Sequence, residues 1–236
     1  AVPIMCAEVV LGAYGRGNPM AAIRHVCDRS LLYRYWQWLG LLACVTGLLI
    51  LGYQSVVAGW SLYYLEVMRG DELSAASPPV VAAHFQNLLE SPVLQLKWQS
   101  IFLAVLVAVL AFGVRRGLGA LVWLVVPVMI TLLGLLVKYA LDNGDLAAAR
   151  EFLFNVQMVD FTRESVLAAM GHALFTLGVG VGAGIAYGAY APSRIPIGRS
   201  VMAVAVFDTI IALLAGIAIF PVIFVNNLAP SSGPGL

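Results

Sequence analysis

The chain has 236 residues, 61% of them hydrophobic and only 11% charged, where a soluble domain is about half apolar and about a quarter charged. The net charge of +1 excludes the basic footprint of a nucleic-acid binder. The apolar residues fall in blocks of about 20, the length a helix needs to cross a bilayer core. This excludes an ordinary soluble domain and predicts an all-α, polytopic membrane helical bundle in contact with lipid. The three cysteines, Cys6, Cys27 and Cys44, have neither metal-ligand nor disulfide-framework spacing and read as small buried residues.

In chain order the membrane segments are predicted at about 1–12, 36–64, 93–114, 121–141, 164–190 and 201–224, within one membrane domain over 1–236. The opening AVPIMCAEVVLG is already apolar, with no basic region or cleavage site, so it reads as the tail of a helix and not as a signal peptide. The chain ends in the loop LAPSSGPGL, and both ends read as cuts. Arg16 to Arg29 reads as a polar loop. Tyr33, Tyr35, Trp36 and Trp38 form an aromatic belt before the second segment, as at membrane interfaces. The stretch from Asp71 to Pro92 is polar. Arg115, Arg116, Gly117 and Gly119 turn the chain between the third and fourth segments, and Pro127 sits inside the fourth. EFLFNV, within a polar connection, reads as a short interfacial helix.

Charge sets the orientation. If loops alternate sides with the Arg16 loop inside, the inner loops hold eight basic residues: Arg16, Arg24, Arg29, Arg34, Arg115, Arg116, Arg194 and Arg199. The outer loops hold five: Arg69, Lys97, Lys138, Arg150 and Arg163. The bias places the Arg16–Arg29 loop on the cytoplasmic side, and the expected location is the cell membrane. The outer acids are Glu66, Asp71, Glu72, Glu90, Asp142, Asp145, Glu151, Asp160 and Glu164.

Glu8 and Asp208 fall inside apolar segments. An ionisable group there costs at least ~2.5–3.5 kcal/mol and is a functional candidate by default. Glu8 reads either as a structural carboxylate for the backbone of a broken helix or as an ion or proton site. Asp208 reads as a cation or proton site, against a bland alternative at interface depth. In AMGHALFTLGVGVGAGIAYGAY, Thr176, Gly178 and Gly180 mark a helix break, since each glycine weakens a helix by about 1 kcal/mol. Broken membrane helices expose backbone groups that transporters use for ions and substrate. Gly180, Gly184 and Gly188, spaced by four, form a ridge for close helix packing. His172 precedes the break and reads as a packing residue or a ligand. Tyr53, Gln54 and Ser55 form a polar patch that either joins helices or faces a cavity.

Four stretches, PIMCAEVVLGAYGRGNP, YQSVVAGWSLYYL, GHALFTLGVGVGAGIAYGAY and DTIIALLAGIAIFP, together resemble the neurotransmitter:sodium symporter family, its bacterial branch most closely. The resemblance implies a partial inverted-repeat transporter fold with a broken helix, running from the family's second helix through its seventh. The first and eighth helices, which complete the two sodium sites and the substrate pocket, then lie outside the chain. The implied function is sodium-coupled symport of amino acids or related small solutes, without covalent chemistry. The resemblance places Ile50, Phe175, Thr176, Gly178 and Val181 in the substrate pocket, with Thr176 and Asp208 as ligands of the first sodium. Asp208 stands where many members have Asn, and its charge stands in for chloride, which favours chloride independence over a chloride cofactor. His172 matches a position near the chloride site, Glu8 the carboxylate that holds the broken helix, and Tyr190 a residue of the cytoplasmic gate. Aligned on Trp60, Gln54 replaces a Tyr that meets the substrate carboxylate, a departure from the family pattern. Small Gly178 and Val181 suggest room for a bulky substrate side chain. The competing readings are a channel or structural membrane subunit, and an intramembrane protease, for which Ser55 and Ser61 lack a nucleophile context.

Overall fold

The computed structural model describes residues 1–30, 33–70, 78–155, 161–192 and 195–226. Asp71, Glu72, Asp160, Arg194 and the terminal LAPSSGPGL loop lie outside the described residues. Among those described, all regular structure is helical: α1 (Val2–Gly15), α2 (Pro19–Arg29), α3 (Gln37–Arg69), α4 (Pro78–Glu90), α5 (Pro92–Ala111), α6 (Gly119–Asn143), α7 (Leu146–Phe154), α8 (Arg163–Thr176), α9 (Ala183–Tyr190) and α10 (Ile197–Val225). Helices over Arg34–Arg69, Pro92–Ala111, Arg116–Asn143 and Ile197–Val225 are long and apolar enough to cross a membrane. The chain divides into two compact units, residues 1–49 with 137–226, and residues 50–136.

In the first unit, α1 opens with a proline in its first turn, where the missing N–H has no helical partner to lose. What composition presented as a polar loop over Arg16–Arg29 is largely the helix α2. The Asn18 side chain accepts from the Ala21 N–H at 2.7 Å, and Pro19 is the first helical residue. An Asn cap followed by Pro is a strong start signal. Asp28 meets Arg34 at 3.3 Å and Arg24 at 3.8 Å. These pairs are exposed, so each contributes at most ~1 kcal/mol. Further along, the Asp145 side chain caps α7 by accepting from the Ala148 N–H. The Asp145 N–H itself donates to the Pro221 carbonyl at 3.0 Å. Phe152 of α7 lies 4.8 Å from Phe220 and 5.6 Å from Phe224, centroid to centroid. Of the predicted interfacial helix at EFLFNV, Glu151–Phe154 are the second half of α7, which packs against α10, and Val156 lies outside the described residues.

In the second unit, Ser55 of α3 is buried. Its hydroxyl donates to the Gly52 carbonyl at 2.8 Å and accepts from Gln99 Nε2 of α5 at 2.9 Å. One turn on, Trp60 Nε1 donates to Gln95 Oε1, and Gln95 Nε2 donates to the Leu89 carbonyl at the end of α4. Of the predicted polar patch, Ser55 joins helices, while Tyr53 and Gln54 stay exposed. The polar stretch after Asp71 contains α4, whose paired prolines stand at its first turn. A short π-helical turn, Val114–Leu118, links α5 to α6.

The most apolar windows of α5 and α6 have no buried residue. Val93 is 82% and Trp123 84% exposed. Such surfaces suit a lipid solvent, which solvates apolar side chains as well as a protein core does. This is a multi-pass membrane protein. The cysteines are free thiols; Cys27 is buried and Cys6 half-buried, but Cys44 is exposed, which corrects the buried reading for that residue.

Candidate functional site

The segment predicted at 164–190 is two helices separated by a non-helical stretch. α8 begins with a reciprocal cap, in which Thr162 Oγ1 accepts from the Ser165 N–H and Ser165 Oγ accepts from the Thr162 N–H. It ends at Thr176, and α9 begins at Ala183. Between them, every second residue is a glycine with positive φ: Gly178 at 62°, Gly180 at 87° and Gly182 at 75°. That alternation cannot continue a right-handed helix, and side chains other than glycine's are strained there. The Gly178 N–H bonds back to the Phe175 carbonyl and the Val179 N–H to the Leu174 carbonyl. The Gly180 N–H turns away and donates to Glu8 Oε1 of α1 at 2.7 Å. The Thr176 carbonyl stays outside this set. The stretch thus joins the negative end of one helix to the positive end of the next, an arrangement suited to holding ions.

The α1 helix holds the second half-helix at backbone distance. A Cβ on Gly12 would stand 1.9 Å from the Ile185 carbonyl oxygen, and one on Gly188 would stand 2.2 Å from that of Val9. Gly184 faces Glu8 itself, leaving 2.7 Å between a built Cβ and Oε2. That oxygen is buried without a hydrogen-bond partner among the described residues. Gly184 and Gly188 form the predicted packing ridge. Gly180 does not belong to it, because nothing lies within 4 Å of its built Cβ and its N–H serves Glu8.

The predicted residues divide between the two units. His172, Phe175 and Thr176 are exposed on the last turns of α8. Gly178 and Val181 are half-buried in the break, and the Val181 carbonyl faces Gly47 of α3. Tyr190 is the exposed last residue of α9, and Asp208 is half-buried within α10. Glu8 and the break are joined directly; among the described residues no hydrogen bond joins Thr176 to Asp208. Ile50, half-buried, and Gln54, exposed, stand on the part of α3 that belongs to the second unit. The open cavities beside α7 and at the aromatic start of α3 include none of these residues. Sequence reasoning missed Gly182, the third glycine of the alternation, though the spacing Gly178-x-Gly180-x-Gly182 carried the signal. It also counted Arg16 only as a loop charge.

The family model of the Sodium:neurotransmitter symporter family matches residues 83–229. An uncharacterized sodium-dependent transporter of Bacillus subtilis, YhdH, is 33% identical over 99% of this chain and 51% of its own length. A similarly named protein of Haemophilus influenzae is 26% identical over 100% of this chain and 53% of its own. Among solved structures, the crystal structure of MhsT in complex with L-phenylalanine superposes with a TM-score of 0.90 and 32% identity, covering 100% of this chain and 53% of MhsT. The chain thus spans about half the length of the relatives it matches. On the extent of the family match, the chain belongs to the Sodium:neurotransmitter symporter family.

Proposed function

We propose that the protein carrying this chain is a sodium-coupled symporter of an amino acid or a related small solute. The observation that supports this reading most directly is the break at 177–182, with its glycine alternation and its tie to Glu8. In this reading Thr176 and Asp208 ligate sodium. Phe175, Thr176, Gly178, Val181 and Ile50 line the substrate pocket, and Gln54 offers an amide where a phenol would otherwise meet the substrate carboxylate. Gln carries both donor and acceptor atoms, so it can still donate to a carboxylate oxygen. Glu8 holds the break, His172 stands beside it, and Tyr190 belongs to the cytoplasmic gate. Asp208 supplies the negative charge that chloride would supply, so transport is chloride-independent. MhsT was crystallised with L-phenylalanine, and Gly178 and Val181 are small, which favours an apolar amino acid with a bulky side chain. The protein sits in the cell membrane with the Arg16–Arg29 segment cytoplasmic and all six apolar segments in the bilayer.

Binding of labelled L-phenylalanine and other amino acids to the purified full-length protein tests the sodium site. Binding should require sodium. Thr176→Val, which removes one hydroxyl oxygen at nearly constant volume, should raise the sodium concentration for half-saturation roughly 10-fold, as expected for loss of one well-formed polar ligand. Unchanged sodium dependence in this variant would remove Thr176 from the sodium site.

A further inference from the structure

Glu8 and Gly12, four residues apart, share one face of α1, and Arg16 follows its last residue. Glu8 takes the Gly180 N–H just before α9, Gly12 lies on the middle of α9 at Ile185, and Arg16 reaches its far end. There one guanidinium nitrogen, Nη1, donates to the Ala191 carbonyl and, at 3.4 Å, to the Ala189 carbonyl. These carbonyls flank Tyr190, the last residue of α9. The two charges match the helix they grip, with an anion at the positive end and a cation at the negative end. A second observation points to the side chain. Arg16 follows α1 in the left-handed conformation, φ 49°, and among the described residues no other non-glycine has positive φ. Glycine is the usual occupant of that position. Arginine accepts the strain here, and its guanidinium is engaged with the partner helix.

We propose that Arg16 is a positioning residue that locks the end of α9 to α1 and so sets the place of Tyr190. The break at 177–182 is then the hinge about which α9 turns, and α1 is the element to which its far end is latched. When α9 shifts against α1, the bonds to Ala189 and Ala191 are the ones that break. This deepens the symporter reading, because the locked end carries the residue assigned to the gate.

The test uses the full-length transporter with its cysteines replaced, Cys6, Cys27 and Cys44 included, and Ala191→Cys as reporter. A hydrophilic maleimide labels the purified protein with and without sodium. In the parent, sodium should change the labelling rate. Arg16→Ala should raise the sodium-bound rate roughly 10-fold or more, the scale for losing hydrogen bonds to a charged donor, and abolish the sodium effect. Arg16→Lys, a single ammonium with donors of its own, should fall between. A purely structural role would lower thermal stability in Arg16→Ala yet leave the sodium effect on labelling intact, and that result overturns the proposal. If Arg16→Ala does not fold, the same comparison between Arg16→Lys and the parent decides: equal rates and equal sodium effects overturn it. Labelling of Ala191→Cys does not depend on transport. A parent that binds no substrate with sodium would therefore contradict the symporter reading, while the labelling comparison between variants still judges the lock.

Discussion

Replacing Glu8 by alanine in the full-length transporter should lower sodium-dependent uptake by roughly 10- to 100-fold, the range for losing a hydrogen bond to a charged group. Glu8 Oε1 is the acceptor for the Gly180 N–H at 2.7 Å. The alternating glycines offer the backbone many other conformations, so the bond to Glu8 selects one of them. Alanine leaves that N–H without its partner, and an unmade backbone hydrogen bond is costly. Glutamine keeps an acceptor oxygen but sets an amide against Gly184, where the carboxylate oxygen now sits in contact. Glu8→Gln should therefore retain more uptake than Glu8→Ala. Initial rates at saturating sodium, normalised to the amount of folded protein, measure both. Parent-like uptake by Glu8→Ala would show that the break holds its shape without this carboxylate.

The second large effect is expected at Asp208. A carboxylate in a membrane helix costs ~2.5–3.5 kcal/mol on insertion scales, and such groups are retained where they meet a cation or another partner. Asp208 is half-buried in α10, about two and a half turns after Arg199. Asp208→Asn keeps the shape and an oxygen ligand but removes the charge. Sodium half-saturation should rise roughly 10-fold in chloride-free medium, about the 1.4 kcal/mol equivalent of one lost favourable contact. External chloride should recover part of the loss in Asp208→Asn and leave the parent unchanged. A variant with parent-like sodium dependence and no response to chloride would assign Asp208 to helix packing instead.

Much of the helix order was legible because one signal dominates. Runs of apolar residues long enough to span a bilayer identify α3, α5, α6 and α10 without reference to tertiary contacts. The same signal is blind to helices that need not span. α2 was hidden by its polarity and α4 by its short length next to the acidic Asp71-Glu72, although Asn18-Pro19 and Pro78 marked their starts. The end of α3 was placed early, since Glu66 and Arg69 end the apolar run while the helix continues to Arg69. The break in 164–190 was legible from the glycine spacing, though its extent was read short. Its far edge is set by Gly182, the third member of the alternation Gly178-x-Gly180-x-Gly182. Arg16 was illegible for a different reason. Its partners lie 173 and 175 residues away, and no local pattern pairs a loop arginine with carbonyls at that separation. Ser55 and Gln99, 44 residues apart, escaped in the same way.

The central claim is coupling of solute movement to sodium. The measurement that tests it most directly is uptake of labelled amino acids, L-phenylalanine first, into proteoliposomes of the full-length protein under an inward sodium gradient. The account predicts saturable accumulation that collapses when the gradient is dissipated and is indifferent to chloride. Solute flux that is non-saturable, or that proceeds equally without sodium, would contradict it and favour a channel.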